Sequence, residues 1–568
     1  MEESQFDVII LGTGLVNSIV AAALSKAGYK VAHVDANPYY GGDEASLSLE
    51  ELVQWGDNIS ALSSGRTSRF HRLARSSNVP SQSRHYSICL QPAVIPSVGP
   101  LISSLVASGV AKYSGFRLLE SVSIYDSTGN VKNVPGSKED IFKSKEISLI
   151  EKRRLMRFLT FAAGDFEDKK ELQDKEDMPF LEFLPKAFSL SDEISSVIAY
   201  SLAFCMSSTE PTLSTLVRLR SYLRSGGRYG PSPFLLGHYG GLGDIAQGFC
   251  RAAAVNGAVY ILSREVRKIS HIEHSDNTKH SSVTGSQEAP HRFNYTIDLD
   301  DFPDTLSCKL IISPASYVPP TLRDGIFQLP PLISKDMTTD LAALARCVAI
   351  IDQPLLIRHT PTPEPNPSTD CQQASESQVE IPTGSIEQPI DTAIFVFPPS
   401  TVNKGSNTNP ATVLINGEGS LSTPKGKWLL YINLPLASVP EESASPESLL
   451  RPYLEALLSF SGDPLKPIEP IFDMFYLETP ETPVANKVEP PPTEGSSCSF
   501  STYLIPAVLP IASLPNFPDQ ATLIAEATFK EAIKTLRKLN SVDEAIESPA
   551  VFWPPLPRDE ADDDDNEW

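Results

Sequence analysis

Residues 6–35 restrict the fold of this chain more than any other stretch. Phe6-Asp7-Val8-Ile9-Ile10-Leu11 is a short apolar run of buried-strand type. Gly12-Thr13-Gly14 makes a turn, Leu15 to Ala27 carries apolar residues at helical spacing, and Gly28 stands where a helix stops. Val31 to Asp35 is a second strand. Strand, turn, helix, strand is half of a doubly wound parallel sheet. Gly12 and Gly14 at the turn, and Asp35 at the end of the second strand, stand where a dinucleotide's pyrophosphate and ribose would be held. Asn17 occupies the position where close helix–strand packing calls for Gly or Ala. The pattern specifies the fold and leaves the ligand open, because the same glycines also make a tight turn with nothing bound. We expect Gly12, Gly14 and Asp35 to be a vestigial dinucleotide turn, with no cofactor.

The rest of the chain narrows the class. Flavin enzymes of a two-domain plan usually carry a Gly-Asp pair near the C-terminal end; here the comparable region reads Leu523-Ile524-Ala525-Glu526-Ala527. No clustered base or redox Cys pair is present, although a working flavin oxidoreductase stays open as an alternative. The 568 residues carry 47 Lys and Arg against 70 Asp and Glu, a net charge of −23. Such a surface repels phosphate, so nucleic acid is not an expected partner. Seven scattered cysteines without a Cys-x-x-Cys pair point to a reducing compartment and to no metal site. Met1-Glu2-Glu3-Ser4 is acidic and leads straight into a strand, unlike a signal peptide. No run of eighteen apolar residues offers a membrane span, and the stretch after Arg558 is too acidic for a lipidation box. A cytosolic protein is the expectation.

Residues 1–142, 229–357 and 391–550 read as parts of one discontinuous α/β domain, with a helical domain inserted at 143–228. Ser148 and Glu151 form a capping box ahead of Leu155, Met156, Phe158, Leu159 and Phe161. Ile194, Val197, Ile198, Ser201, Leu202 and Cys205 would line one face of a second helix, and Leu213, Leu216, Val217, Leu219 and Leu223 that of a third. Strands are expected at Ala258–Leu262, at the alternating Phe293, Tyr295, Ile297 and Leu299, at Leu310–Ile312 and at Trp428–Ile432, with a last helix from Thr528 to Leu539. His274–Arg292 reads as a polar loop insert, 358–390 as a disordered insert, and 551–568 as an acidic tail with seven acids between Asp559 and Glu567.

Three strings carry a resemblance. Ala36-Asn37-Pro38-Tyr39-Tyr40-Gly41-Gly42 follows the second strand, Tyr229-Gly230-Pro231-Ser232-Pro233-Phe234-Leu235 comes much later, and Tyr239-Gly240-Gly241-Leu242-Gly243-Asp244-Ile245-Ala246-Gln247-Gly248-Phe249-Cys250-Arg251 follows it. Together they resemble the signature blocks of the Rab GDP-dissociation inhibitor and Rab escort protein family. The resemblance implies a flavoprotein-like (GDI-like) α/β domain that docks the small GTPase Rab, and a helical domain that holds the prenyl lipid. The Rab-binding platform would fall on Tyr40, Asp244, Gln247 and Arg251. Arg suits paired hydrogen bonds to carboxylates, and Tyr suits interface anchoring. Asp244-Ile245-Ala246 stands where the family has Glu-Leu-Pro, so Asp244 is either a partner contact or a helix N-cap. Gln247 and Arg251 are either partner contacts or a solvated face, and Tyr39 would be the packing member beside an exposed Tyr40.

The escort branch of the family docks the Rab geranylgeranyl transferase heterodimer through a Phe and an Arg eleven residues later. Phe142 and Arg153 have that spacing, while a hydrophobic staple for Phe142 and a solvated basic run for Arg153 remain open. The long chain with its inserts also favours that branch. The implied activity is to present GDP-bound, unprenylated Rab to the transferase and to carry the prenylated product to membranes, without chemistry of its own; the alternative is an inhibitor that recycles prenylated Rab. Candidate lipid-lining residues are Ile194, Val197, Ile198, Leu202, Leu216 and Leu219, which would serve equally as ordinary core. A geranylgeranyl chain offers on the order of 10 kcal/mol of gross apolar burial.

Overall fold

The computed structural model of the chain describes residues 4–61, 68–126, 129, 131–134, 141, 147–272, 293–319, 322, 326–332, 341–359, 386–461, 467–483, 501–540 and 551–554. The opening unit forms as its pattern dictates: β1 (Gln5–Leu11), α1 (Leu15–Lys26) and β2 (Val31–Val34). β1 lies between β2 and Leu306–Ile312, parallel to both, with Ile9 opposite Ala32 and Ile311. The sheet continues from β2 to Val259–Ile261 on one side, and from Leu306–Ile312 through Tyr295–Leu299 to Val266–His271 on the other. Tyr503–Ile505 adds a parallel strand beside Leu306–Ile312 and carries Ile326–Gln328 at its far side.

Both faces of this sheet are covered. Val8 and Ile10 pack with α1, the helix Leu242–Val255 and the helix Phe517–Leu539, while Ile9 and Leu11 pack on the opposite side with Tyr295 and Tyr503. Burial on both faces is why β1 is continuously apolar rather than alternating. The last helix begins eleven residues before the expected Thr528: Pro518 at its first turn suits a helix start, and Phe517, Ala521, Ile524 and Ala525 continue its buried stripe.

A second sheet of eight strands carries the middle of the chain. Its order is Phe70–Arg75, Phe472–Glu478, Ala343–Ile351, Trp428–Leu436, Ala411–Asn416, Thr392–Phe397, Ser121–Tyr125 and Val131–Asn133, mostly antiparallel. Trp428–Ile432 therefore belongs here and not with β1. One face packs on the helix Pro446–Leu458 through Ala345, Cys347 and Ala349; the other, through Val348, Ile350, Tyr431 and Met474, shares a core with the helical block.

That block comprises Leu149–Ala163, Phe180–Phe188, Asp192–Val197 and Thr212–Ser225. Ser148 caps the first helix, accepting from the Glu151 N–H at 3.3 Å, and its hydroxyl also meets the Glu151 carboxylate. Phe158, Phe161, Phe183 and Phe188 interlock at ring separations of 5.1–6.3 Å. Two expectations need correction. Ile198–Leu202 is a π-helical turn and Phe204 has φ of +52°, so the expected single face from Ile194 to Cys205 is broken: its members Ile198, Ser201 and Cys205 are buried, but so are Ser195, Ala199 and Tyr200, while Ile194, Val197 and Leu202 are partly exposed. In the last helix Val217 is 44 % exposed, because the 3.6-residue period buries Thr212, Leu216, Leu219 and Tyr222.

The expected insert 358–390 is bounded by structure: Leu356–His359 pairs antiparallel with Ile386–Pro389. Residues 360–385, the insert 274–292 and residues 555–568 lie outside the described residues. The expected tail begins packed on the core: Phe552 and Trp553, partly buried, meet Phe529 and Phe249, and the Trp553 indole donates to the Ser104 hydroxyl at 3.1 Å. The five described cysteines are free and buried. No helix among the described residues is long and apolar enough to cross a membrane.

The second sheet is pinned by a buried guanidinium. Arg346 donates to Glu478 at 2.5 Å, to Asn433 at 2.7 Å and to Gln91 at 2.7 Å. Burial alone would raise the Glu478 carboxyl, but Arg346 and Arg69 together hold it below the usual range. Replacing Arg346 with Ala leaves buried acceptors unmatched and should lower stability by about 3–5 kcal/mol. Urea denaturation measures this, and a loss under about 1 kcal/mol would contradict the assignment.

Candidate functional site

Two neighbouring regions gather the residues singled out in the sequence. The first is the turn at the N-terminus of α1. Gly12 has φ of +82°, and its carbonyl accepts from the Asn17 side-chain amide at 3.2 Å and from His33 Nε2 at 2.7 Å. Asn17 also donates to the Leu11 carbonyl at 2.9 Å, so this side chain staples the turn that Gly or Ala would leave to packing alone. Burial drives the His33 pKa down to about 4, so the ring is neutral and Nε2 carries its proton toward Gly12.

Asp35 is turned inward. One oxygen accepts from the Thr13 N–H and hydroxyl at 2.7 and 2.6 Å, the other from the Asn37 N–H and side-chain amide at 2.9 and 3.0 Å. Four donors saturate a carboxylate and leave no acceptor for a ribose. The segment Gly41–Glu44 folds over the turn. Gly14 and Gly41 form an isolated bridge, and the Gly41 N–H donates to the Thr13 hydroxyl at 3.1 Å. A Cβ at Gly42 would come within 3.1 Å of the Gly14 nitrogen, so this close approach favours a glycine. Glu44 then places a carboxyl oxygen 2.9 Å from the Leu15 N–H, at the open N-terminus of α1. That is where a helix N-terminus would hold a phosphate. The residues present do not fit a dinucleotide: its phosphate and ribose positions are filled by Glu44, Gly42 and the Asp35 network.

The second region is a cavity of about 380 Å³ on the outer side of the helix Leu242–Val255. All four expected platform residues line it: Tyr40 from the segment after β2, and Asp244, Gln247 and Arg251 from the helix. Their spacing of three and four puts the helical members on one face. Gly241, not Asp244, is the N-cap; Asp244 lies in the first helical turn, where a carboxylate suits the helix dipole. Burial raises the Asp244 carboxyl pKa, with the Ser114 hydroxyl pulling the other way. Tyr39 packs partly buried against the large core, while Tyr40 meets Tyr260 edge-on at 5.7 Å. Tyr260 in turn lies 5.1 Å from the His33 ring, linking the cavity to the Gly12 turn. Cys250 at the cavity wall is 3.2 Å from the Ser18 hydroxyl of α1, and burial raises its thiol to about 11.

Sequence reasoning missed Tyr113, Ser114, Cys250 and Tyr260, which line the cavity together with Gly248 and Ala254. Tyr113 and Ser114 come from far along the chain and show no periodicity that points at the helix; only Cys250 lay inside a recognised string.

The other expected residues fall elsewhere. Ile198, Leu216 and Leu219 are buried within the core of the helical block, Ile194 and Leu202 pack partly buried against it, and Val197 is half-buried beside them. Arg153 is exposed on the helix Leu149–Ala163, next to the exposed Leu149 and Ile150. Phe142 lies outside the described residues.

The sequence profile of the GDP dissociation inhibitor family matches residues 1–323. Relatives described as Rab proteins geranylgeranyltransferase component A are 33 % identical over 287 residues in Candida albicans (49 % of this chain, 44 % of that protein) and 32 % over 349 residues in Drosophila melanogaster (59 % and 63 %). The Saccharomyces cerevisiae protein of the same description is 28 % identical over 458 residues (79 % and 64 %). The matches thus span less than two thirds of each relative. Among solved structures, a Rab GDI from Plasmodium falciparum superposes with a TM-score of 0.58 at 20 % identity, over 94 % of this chain and 98 % of that one. An oxidoreductase from Methanosarcina mazei gives 0.53 at 14 %, over 92 % and 99 %. Both likenesses concern the fold.

The Glu44 plug has a pH signature. Burial, with Asp43 beside it, raises the Glu44 pKa from 4.5 to about 7, against the pull of the Leu15 N–H and Arg69. Between these values the folded protein keeps a proton that the unfolded chain has released, so stability falls as pH rises through the window, by on the order of 2–3 kcal/mol. Glu44→Gln, neutral at every pH, should remove this part of the slope. Urea midpoints taken from pH 4.5 to 7.5 test it, and an unchanged slope in the variant would refute the assignment.

Proposed function

Because the chain belongs to the GDP dissociation inhibitor family, we propose that it acts as an escort for Rab GTPases. It takes GDP-bound, unprenylated Rab, presents it to the Rab geranylgeranyl transferase heterodimer, and carries the prenylated product to a membrane. The observation that carries this reading is the gathering of Tyr40, Asp244, Gln247 and Arg251 around one open cavity. A shape of this size, lined by tyrosines and rimmed by an exposed Arg, suits inserted side chains of a protein partner. The Cys250 thiol in its wall is held protonated by burial, and in this scheme the chain supplies docking and the transferase supplies the chemistry. The relatives described as component A of the transferase favour the escort reading over the recycling inhibitor.

Three surfaces then divide the work. The cavity holds the folded part of the GTPase. Phe142 and Arg153 engage the transferase, with exposed Leu149 and Ile150 beside Arg153 adding apolar contact. The lipids enter the helical block near Ile194, Val197 and Leu202, and reach Ile198, Leu216 and Leu219 by parting the helices. The π-helical turn Ile198–Leu202, a feature frequent at functional sites, supports that step. The acidic net charge favours basic GTPase tails. An oxidoreductase reading is not favoured: the oxidoreductase likeness is one of fold, and the dinucleotide position is filled.

Three measurements test the proposal. With transferase, lipid diphosphate and a GDP-bound Rab, adding the chain should allow lipid transfer to the Rab cysteines. Extraction of prenylated Rab from membranes without such transfer would instead identify a recycling inhibitor. Arg251→Ala should weaken Rab binding by at least about tenfold, as expected for an interface anchor. Phe142→Ala should weaken the transferase interaction and leave Rab binding intact; equal loss of both would make Phe142 a core residue.

A further inference from the structure

We propose that Tyr113 is a positioning residue of the docking cavity, holding the Arg251 guanidinium flat at the rim with its N–H edge presented to the partner. This rests on the reading of the cavity as a docking site and adds to it a residue that no sequence motif marks. The Arg251 guanidinium carbon stands 4.4 Å from the centroid of the Tyr113 ring, within the range of a cation–π contact. Among the described residues no carboxylate pairs with Arg251, although Asp244 lines the same cavity two turns earlier on the same helix. Stacking engages the face of the guanidinium and leaves its coplanar donors free. Those donors match a planar pair of oxygens, so a carboxylate on the partner is the complementary group.

The support of Tyr113 is itself fixed. It follows the short turn Val110–Lys112, which Gly109 opens with φ of +83°, and its N–H donates to the Val110 carbonyl at 2.8 Å. Val110 is buried against the docking helix: a Cβ on Gly248 would lie 2.9 Å from Val110 Cγ1. The turn that carries Tyr113 is thus pressed onto the helix that carries Arg251 at a point where a glycine permits the approach. Tyr113 remains 46 % exposed, so its ring both holds Arg251 and faces the space the partner would enter. An exposed arginine otherwise samples many rotamers, and freezing it on association costs affinity.

The test is a set of dissociation constants for GDP-bound Rab with the full chain and its variants. Tyr113→Ala should weaken binding about three- to fivefold, the scale of one exposed cation–π contact. Tyr113→Phe keeps the ring and should return affinity to within about twofold of the starting chain. In an Arg251→Ala background, Tyr113→Ala should have no further effect; a full additional loss there would overturn the proposal, because it would assign Tyr113 a contact of its own. In the free chain, the Arg251 Nε–H resonance should be displaced by the ring current and relax to its solvent-exposed position in Tyr113→Ala but not in Tyr113→Phe. A resonance that ignores Tyr113→Ala overturns the positioning role without any partner present. Failure of the unsubstituted chain to bind Rab overturns the docking reading instead, while the resonance still decides the role of Tyr113.

Discussion

The contact between the Glu44 carboxyl and the Leu15 N–H organises the segment that brings Tyr40 to the cavity. A helix N-terminus leaves N–H groups without intrahelical partners and favours negative charge. In a nucleotide-binding fold a ligand phosphate answers that demand; here the chain answers it with its own side chain. The substitution fixes the segment between β2 and Glu44, and Tyr40 stands on that segment. From its neighbour Asp43 a line of charges runs through Arg69 to Glu478 and on to Arg346 in the second sheet. The plug, the tyrosine beside the docking cavity and the alignment of the two sheets are therefore one electrostatic problem with one solution.

How far this was legible in the sequence depends on the range of the forces involved. The βαβ opening was plain because β1, α1 and β2 are consecutive and each follows its own periodicity. The meeting of Asp244, Gln247 and Arg251 at one cavity was legible because their spacing of three and four puts them on one helix face. The buried role of Asp35 was hidden, since an acid at that position reads the same whether it meets a ribose or Thr13 and Asn37. Glu44 gave no signal at all: its partner is a backbone N–H in another element. The second sheet was mostly missed because Ala343–Ile351 and Phe472–Glu478 are buried on both faces, which erases alternation, and because their neighbours come from remote parts of the chain. The π-turn at Ile198–Leu202 defeated a count made at 3.6 residues per turn. Phe552 and Trp553 were absorbed into the acidic tail because composition was averaged over a stretch whose first aromatic rings pack on the core.

The helical block does not have a core of its own. Phe158, Phe183 and Leu216 belong to the same apolar cluster as Val348, Tyr431 and Met474 of the second sheet. A lipid that enters among the helices would therefore act on packing that the sheet shares, and Arg346 sits in that sheet. By contrast the helix Leu242–Val255, which lines the cavity, packs on α1 and the helix Phe517–Leu539, in a separate cluster. In the proposed scheme, grip on a GTPase and storage of its lipid would draw on different cores, which would permit one to change while the other stays closed.

The arrangement of the first sheet bears on how the chain is made. α1 is covered on one side by the helix Phe517–Leu539, and Leu306–Ile312 acquires its outer neighbour from Tyr503–Ile505. These pieces leave the ribosome ~490 residues after α1, which at ordinary elongation speeds is roughly half a minute to one and a half minutes. Until then the helix Leu242–Val255 can cover only part of α1, and the alanine-rich face of the nascent protein that packs on Phe517–Leu539 waits for its mate. Its biogenesis should thus lean on chaperones that shield early apolar segments, and synthesis rate or ribosome stalling should govern yield more strongly than the stability of the finished molecule.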